Sequence, residues 1–228
     1  MNYMTSYDTI IFDSEFNEEL DIELISGYKK LIFSNYEQDE RLFESYKNNN
    51  FNGLKYIGSK FNKDVFAYPP FLTHLTFGQN FNQDVSTLPP TLTYLIFGRN
   101  FNQDVSELPP FLTHLTFSNY FNRDVSKLPS FITRLTFGSL FNQDISFLPH
   151  SLTHLIFGSN FNKDVSTLPP LLIHLTFGHD FNQDVSKLPQ GITHLTFGRD
   201  FNQDVSKLPH EITHLTFGKK FNQQYDIP

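Results

Sequence analysis

Residues 72–91 read LTHLTFGQNFNQDVSTLPPT, and this pattern recurs along most of the 228-residue chain. Its Phe-Asn pair returns every 20 residues, from position 61 to position 221. Eight periods therefore run unbroken over residues 61–220. A period of this length is too short for a helical hairpin or a propeller blade, and Leu-Pro pairs such as Leu88-Pro89 do not fit inside a helix. Each period is therefore predicted to form one coil of a solenoid.

The residues before the glycine of each period predict a short strand. Leu75 and Phe77 alternate with His74 and Thr76, so the apolar pair is expected to point inward and the polar pair outward. Gly78 then ends the strand. Every strand runs the same way around its coil and pairs with the strand 20 residues away. We therefore predict an all-β fold: a parallel β-solenoid with 20-residue coils and little or no helix.

The remaining residues are expected to finish the two ends of the stack. Residues 1–60 contain three strand-like triplets, at 10–12, 31–33 and 54–56, which are interpreted as degenerate repeats forming an N-terminal cap. The polar stretch 37–50 is interpreted as an inserted loop or a short helix. Residues 221–228 are interpreted as a short C-terminal tail. The last coil would leave an unpaired strand edge, and two hypotheses account for it: the tail folds over this edge, or a second chain associates with it.

Composition excludes several classes of protein. The chain has no cysteine, which removes disulfide scaffolds, thiolate metal sites and cysteine nucleophiles. Its formal net charge of −7 disfavours binding to nucleic acid or to an anionic membrane. No secretory signal or membrane-spanning stretch is evident, so an intracellular and cytoplasmic location is expected.

The run FNQDVSxLPxxLTHLTFG resembles the FNIP repeat, a relative of leucine-rich repeats found in proteins of social amoebae and of giant viruses that infect amoebae. The resemblance rests on Phe-Asn pairs such as Phe81-Asn82, Leu-Pro pairs such as Leu88-Pro89, and the strand at 92–98. It implies a leucine-rich-repeat-like fold and protein binding, and it brings no catalytic residues. Some FNIP proteins carry an F-box before their repeats, but no F-box is evident here.

Three polar columns of the repeat invite a chemical interpretation, because stacking places equivalent residues about 4.8 Å apart. The column at His74 could hold a metal, contact a partner or simply be solvated, and the solvated row is favoured. The column at Asp84 is interpreted as a turn in which each carboxylate accepts a hydrogen bond from the amide two residues ahead, rather than as a calcium site. The column at Asn82 is predicted to be a buried ladder that satisfies backbone groups.

The outer strand face and the variable positions after each strand are the expected partner-binding surface. Because repeat columns form straight stripes over a filled core, no pocket for an enzyme or cofactor is expected. We predict a noncatalytic scaffold for an unknown protein partner. The alternatives are a substrate-recruiting ubiquitin-ligase adaptor without its own F-box and a self-assembling spacer associating through the C-terminal coil. The candidate contact residues are Tyr94, His114, Tyr120, Arg134, Leu140, His154, His174, His194 and His214.

Overall fold

The computed structural model describes residues 3–64 and 68–224. These residues form one sheet of eleven strands that follow one another in chain order. The first part of the chain holds β1 (Tyr3–Ser6), β2 (Thr9–Phe12), α1 (Ile22–Ile25), β3 (Lys30–Phe33) and α2 (Leu42–Asn48). The regular repeats supply β4 (His74–Thr76), β5 (Tyr94–Ile96), β6 (His114–Thr116), β7 (Arg134–Thr136), β8 (His154–Ile156), β9 (His174–Thr176), β10 (His194–Thr196) and β11 (His214–Thr216).

The strands stack in the predicted register. From β2 to β11 every neighbouring pair is parallel, and from β4 onward each residue lies beside its equivalent 20 positions away, as His154 does beside His174. The parallel solenoid is therefore confirmed. Strand β1 departs from this pattern because it pairs antiparallel with β2, forming a hairpin that begins the sheet.

A double column of phenylalanine rings fills the interior. Within one coil the rings of Phe137 and Phe141 stack with centroids 3.7 Å apart. Between coils Phe141 lies 6.1 Å from Phe161, and both side chains are fully buried. Leu135 is also buried, as the inward half of the strand pattern predicts. Each coil therefore packs its rings against those of the next coil, and the core is continuous along the stack.

Seven of the eight repeat strands are followed by glycine, which is explained by close packing between coils, and Ser118 after β6 is the one departure. A Cβ atom added to Gly158 would overlap the backbone carbonyl of Gly138 in the preceding coil. Gly178 and Gly198 meet the preceding carbonyl in the same way. A carbon atom at such a position would push the two backbones apart, so glycine allows their closest approach. The glycine column is therefore a consequence of stacking.

Two further polar columns connect and bend the coils. The Asn142 side-chain oxygen accepts a hydrogen bond from the backbone N–H of Asn162, at 3.0 Å. These asparagines are half-buried or exposed, so the prediction that the ladder is buried was wrong, whereas the predicted pairing with backbone groups is present. Asp144 accepts from both the backbone N–H and the hydroxyl of Ser146, as the turn interpretation predicted.

The N-terminal part contains two irregular coils, and the second carries an insertion. Phe33 and Phe61 occupy the two ring positions of one coil, with centroids 3.9 Å apart, although 27 residues separate them. In a regular coil only three residues separate the equivalent rings of Phe77 and Phe81. The additional segment, residues 35–58, leaves the solenoid and returns to it. We call it the insertion.

The insertion corrects one prediction. The triplet 54–56 does not form a solenoid strand, because β3 pairs directly with β4. Tyr56 instead makes an isolated antiparallel bridge to Tyr36 within the insertion. The polar stretch 37–50 contains the short helix α2, which is one of the two structures that its sequence allowed.

Residues 225–228, half of the predicted tail, lie outside the described residues. Within the described residues, no helix combines the length and the apolar character needed to cross a membrane.

Candidate functional site

The first outward position of each repeat strand forms one straight row across the sheet, which we call the outer row. Backbone pairing in register holds successive members side by side on β4 to β11. The structure thereby brings together seven of the nine candidate residues predicted from the sequence. The outer row consists of His74, Tyr94, His114, Arg134, His154, His174, His194 and His214.

Ring stacking divides the outer row into two parts at Arg134. On the N-terminal side Tyr94 lies between two imidazoles, with centroids 5.2 Å from His74 and 5.5 Å from His114. On the C-terminal side four imidazoles stack in succession with centroid spacings of 4.2–4.3 Å. The sequence predicted the row, and the structure adds this close face-to-face contact.

A threonine before most of these histidines orients the imidazole. Thr153 Oγ1 lies 2.9 Å from Nδ1 of His154 and donates to the backbone carbonyl of Thr133 at 3.1 Å. Partial burial, followed by the positive charge of Arg134, lowers the pKa of His154. Burial is also the leading cause of the lowered pKa of His114. The surroundings of His114 and His154 therefore favour the neutral imidazole.

The other two candidate residues, Tyr120 and Leu140, lie in neighbouring loops that follow β6 and β7. These two residues are 43% and 39% exposed. The guanidinium carbon of Arg99 lies 5.5 Å from the centre of the Tyr120 ring, a cation–π arrangement. The backbone N–H of Leu140 donates to the carbonyl of Asn119, so the sheet-like ladder continues into these loops.

The insertion stands beside the outer face of the first coils and forms a groove with it. The groove has a volume of 1180 Å³, and Tyr36, Tyr56, Tyr94, Ile96 and Arg99 are among its lining residues. The Tyr56 hydroxyl donates to the Gln79 side chain at 2.5 Å, which ties the insertion to the repeat loops.

The insertion has a small aromatic core of its own. Its Tyr36 and Phe51 rings stack 4.6 Å apart, and burial raises the pKa of Tyr46 to about 12. The insertion therefore forms one wall of the groove, and the repeat strands form its floor.

The sequence interpretation missed an exposed apolar column just before the strands. Phe71, Phe111, Phe131 and Leu171 are 56–69% exposed, and the rings of Phe111 and Phe131 lie 6.0 Å apart. Exposed apolar side chains in a row are typical of contact surfaces. The signal was present in the sequence, because this column varies between Phe, Leu, Thr, Ser, Gly and Glu while the buried column beside it does not.

The polar columns keep to separate rows and do not converge. Asp144 is engaged with Ser146, whereas His154 is engaged with Thr153. Among the described residues, no group of three or more histidine and carboxylate side chains has metal-binding geometry. The side chains of each column are therefore arranged along a line and do not surround a common point.

These features define the class of the protein. A parallel stack of 20-residue coils, with one short strand per coil and a core of leucine and phenylalanine, is a solenoid of the leucine-rich-repeat type. The family model described as "FNIP Repeat" matches residues 67–100, 124–160 and 185–220. The chain therefore carries FNIP repeats, and the resemblance deduced from its sequence is confirmed.

Two solved structures are similar to the chain. The first is CroV588, described as a novel circular LRR protein, with a TM-score of 0.78 and 37% identity. That match covers 94% of this chain and 30% of CroV588, so the chain spans less than a third of that protein. The functional domain of InlJ from Listeria monocytogenes matches with a TM-score of 0.47 and 18% identity, covering 95% and 55% of the two chains. No curated protein matches the chain.

Proposed function

We propose that the protein is a noncatalytic scaffold that binds another protein on the outer face of its sheet. The observation that carries this proposal is the outer row, which presents aromatic, imidazole and guanidinium groups in register across consecutive strands. Tyrosine and arginine are frequent at the centres of protein interfaces, and the exposed Tyr120 and Leu140 extend the surface into the loops. Protein binding is also what leucine-rich-repeat-like solenoids commonly do.

The proposal is tested by comparing two faces of the same solenoid in affinity capture. One variant combines Tyr94→Ala, Tyr120→Ala and Arg134→Ala on the outer face. The matched control combines Glu107→Ala, Lys127→Ala and Lys187→Ala, which are exposed positions on the turn after the aspartates. We expect the same protein to be retained by the wild type and the control and lost by the outer-face variant. Equal retention by both variants would refute the proposed surface.

The identity of what is captured separates the alternatives. Recovery of ubiquitin-ligase subunits would favour a substrate-recruiting adaptor, and recovery of the chain alone would favour a self-assembling spacer. The proposed scaffold also needs no nucleic acid and no membrane, so capture should survive nuclease treatment and proceed without lipid.

A further inference from the structure

The C-terminal part of the outer row is a continuous stack of histidines on β8 to β11. The centroids of His154, His174, His194 and His214 follow one another at 4.3, 4.2 and 4.2 Å. Arg134 on β7 continues the row at one end. Five residues that are cationic or can become cationic thus lie along a line of about 19 Å, since strands are about 4.8 Å apart.

Hydrogen bonding determines which imidazole nitrogen carries the proton. A threonine hydroxyl has one hydrogen, and Thr213 donates it to the carbonyl of Thr193 at 3.2 Å. The same oxygen lies 2.9 Å from Nδ1 of His214, so it accepts from an Nδ1–H. The pair Thr153 and His154 repeats this arrangement. In these two pairs the neutral imidazole therefore carries its proton on Nδ1 and leaves Nε2 unprotonated.

The charges that act on His154 and His194 are positive. Arg134, His114, His174 and His194 all lower the pKa of His154 after the effect of burial, and no carboxylate opposes them. The next outward position of the same strands is neutral, being threonine in β7, β9, β10 and β11 and isoleucine in β8. A protonated row therefore lacks counter-charge of its own along the strands.

In the loops beside the row, the carboxylate of Asp200 is already engaged by cations. Arg199 and Lys220 both contact Asp200, at 2.7 and 3.2 Å, and lower its pKa to about 2. That carboxylate is thus already matched by two cations. The other titratable side chains in these loops and in the turns before the strands are His150, His179, Asp180, His210, Glu211 and Lys219.

We propose that the row from Arg134 to His214 binds an acidic, carboxylate-rich segment of a partner protein, and that this binding tightens as the pH falls from 7.5 to 5.5. The inference rests on the proposed function, because it names the chemistry of the partner that the outer face binds. An extended segment of six residues spans about 20 Å, which matches the length of the row. Carboxylates of glutamate remain ionised over this pH range, so a change in affinity reflects the charge of the protein and not that of the ligand.

Two other ligands fit the row less well. A metal ion needs converging lone pairs, but the rings of His194 and His214 are only 7° from parallel, so their nitrogen lone pairs run side by side. A nucleic acid would extend beyond the row and meet a chain of net charge −7, which repels a long polyanion. A short acidic peptide contacts the row alone.

The test uses fluorescein-labelled hexaglutamate and the full chain, with anisotropy measured at pH 7.5, 6.5 and 5.5 in low salt. We expect the affinity to rise about tenfold between pH 7.5 and 5.5. The row variant carries His174→Gln, His194→Gln and His214→Gln and should lose this rise. The matched control carries His150→Gln and His210→Gln, two exposed histidines outside the row, and should keep it.

Several outcomes would overturn the proposal. These are equal binding by the row variant and the wild type, equal binding of hexaglutamine, or tighter binding of a thymidine oligonucleotide than of hexaglutamate. If the row variant fails to fold, histidine titration by NMR on the wild type decides: hexaglutamate should raise the pKa of the row histidines and leave those of His150 and His210 unchanged. Absence of that difference also refutes the proposal.

The two proposals fail separately. If hexaglutamate does not bind but outer-face substitutions still abolish partner capture, the scaffold function stands and the acidic partner is excluded. If capture is unaffected by the outer-face substitutions, the surface itself is wrong.

Discussion

The regular coils, residues 68–224, and the N-terminal part, residues 3–64, share one column of rings but differ in what surrounds it. In the regular coils the paired rings are nearly parallel, as the 6° between Phe137 and Phe141 shows. In the first irregular coil Phe12 and Phe16 are tilted by 35°. The glycine position is also different, because Asp13 takes it in that coil. The first irregular coil therefore departs from the geometry that the regular coils repeat, whereas Phe33 and Phe61 of the second lie within 12° of parallel.

The largest expected difference in stability between the two regions follows from removing a ring of the phenylalanine column. Phe141→Ala should lower the free energy of unfolding by about 3–5 kcal/mol, because it opens a cavity in the centre of the stack. The control is Phe51→Ala, which removes a ring of the insertion, stacked on Tyr36 outside the solenoid core. Urea denaturation should show a clearly smaller loss for the control. Equal losses would mean that the insertion and the coils unfold as one unit.

Glycine-to-alanine substitutions compare how closely the backbone is packed in the regular coils and in the N-terminal part. Gly158→Ala should destabilise the chain by about 3 kcal/mol, because the new Cβ would meet the Gly138 carbonyl. Gly27→Ala in the N-terminal part is the control, since no atom lies within 4 Å of its added Cβ. That change should be neutral or stabilise by up to about 1 kcal/mol, through the unfolded state. Thermal melting of both variants measures the contrast, and a harmless Gly158→Ala would contradict the close approach of the coils.

Substitutions in the asparagine ladder should cause a smaller loss of stability, and one hydrogen bond of this ladder can be removed in each region for comparison. Asn142→Ala should cost about 1–2 kcal/mol, because it leaves the N–H of Asn162 without its partner. The matched rung is Asn17, which accepts from the N–H of Asn62 at 3.2 Å and is exposed. Asn17→Ala should cost less because water replaces the lost acceptor. Chemical denaturation measures both losses of stability. A larger loss for Asn17→Ala than for Asn142→Ala would contradict this explanation.

The smallest expected effect is a pH dependence confined to the regular coils, since residues 1–64 contain no histidine. The pKa values of His74, His114, His154 and His194 are lowered in the folded chain, chiefly by burial. The unfolded chain therefore binds more protons, and stability falls as the pH drops below about 6.5.

Denaturant midpoints measured between pH 7.5 and 5.5 check this dependence, and flat midpoints would contradict it. The turn aspartates do not interfere, because they titrate in a lower range. Hydrogen bonds from Ser146 and Ser186 lower the pKa of Asp144 and Asp184, respectively. Their contribution to stability is therefore lost only below about pH 4.

The sequence predicted most of the regular region because a strict period leaves little choice. Once residues 20 apart must stack, the inward position of Leu135, the outward position of His154 and the turn at Asp144 all follow. The N-terminal part depends on contacts that occur once, such as the hydrogen bond from Tyr56 to Gln79. No column of equivalent residues reveals such a contact, so the path of the insertion and the antiparallel β1 were not predicted.

The same difference between repeated and unique contacts determines which parts of the candidate site could be predicted from the sequence. The outer row could be predicted residue by residue, whereas the groove beside it could not, because one of its walls is the insertion. The exposed phenylalanines at 111 and 131 were missed for another reason: in a chain with 27 phenylalanines, aromatic residues were interpreted as core.

The junction between Phe33 and Phe61 shows how such a chain can acquire new parts. Its two rings still stack although a folded segment has been placed between them. The corresponding junction in any regular coil, such as that between Phe137 and Phe141, offers the same anchoring points. An engineered loop placed there would project next to the histidines and aromatic residues of the sheet, so one scaffold could display many different recognition elements.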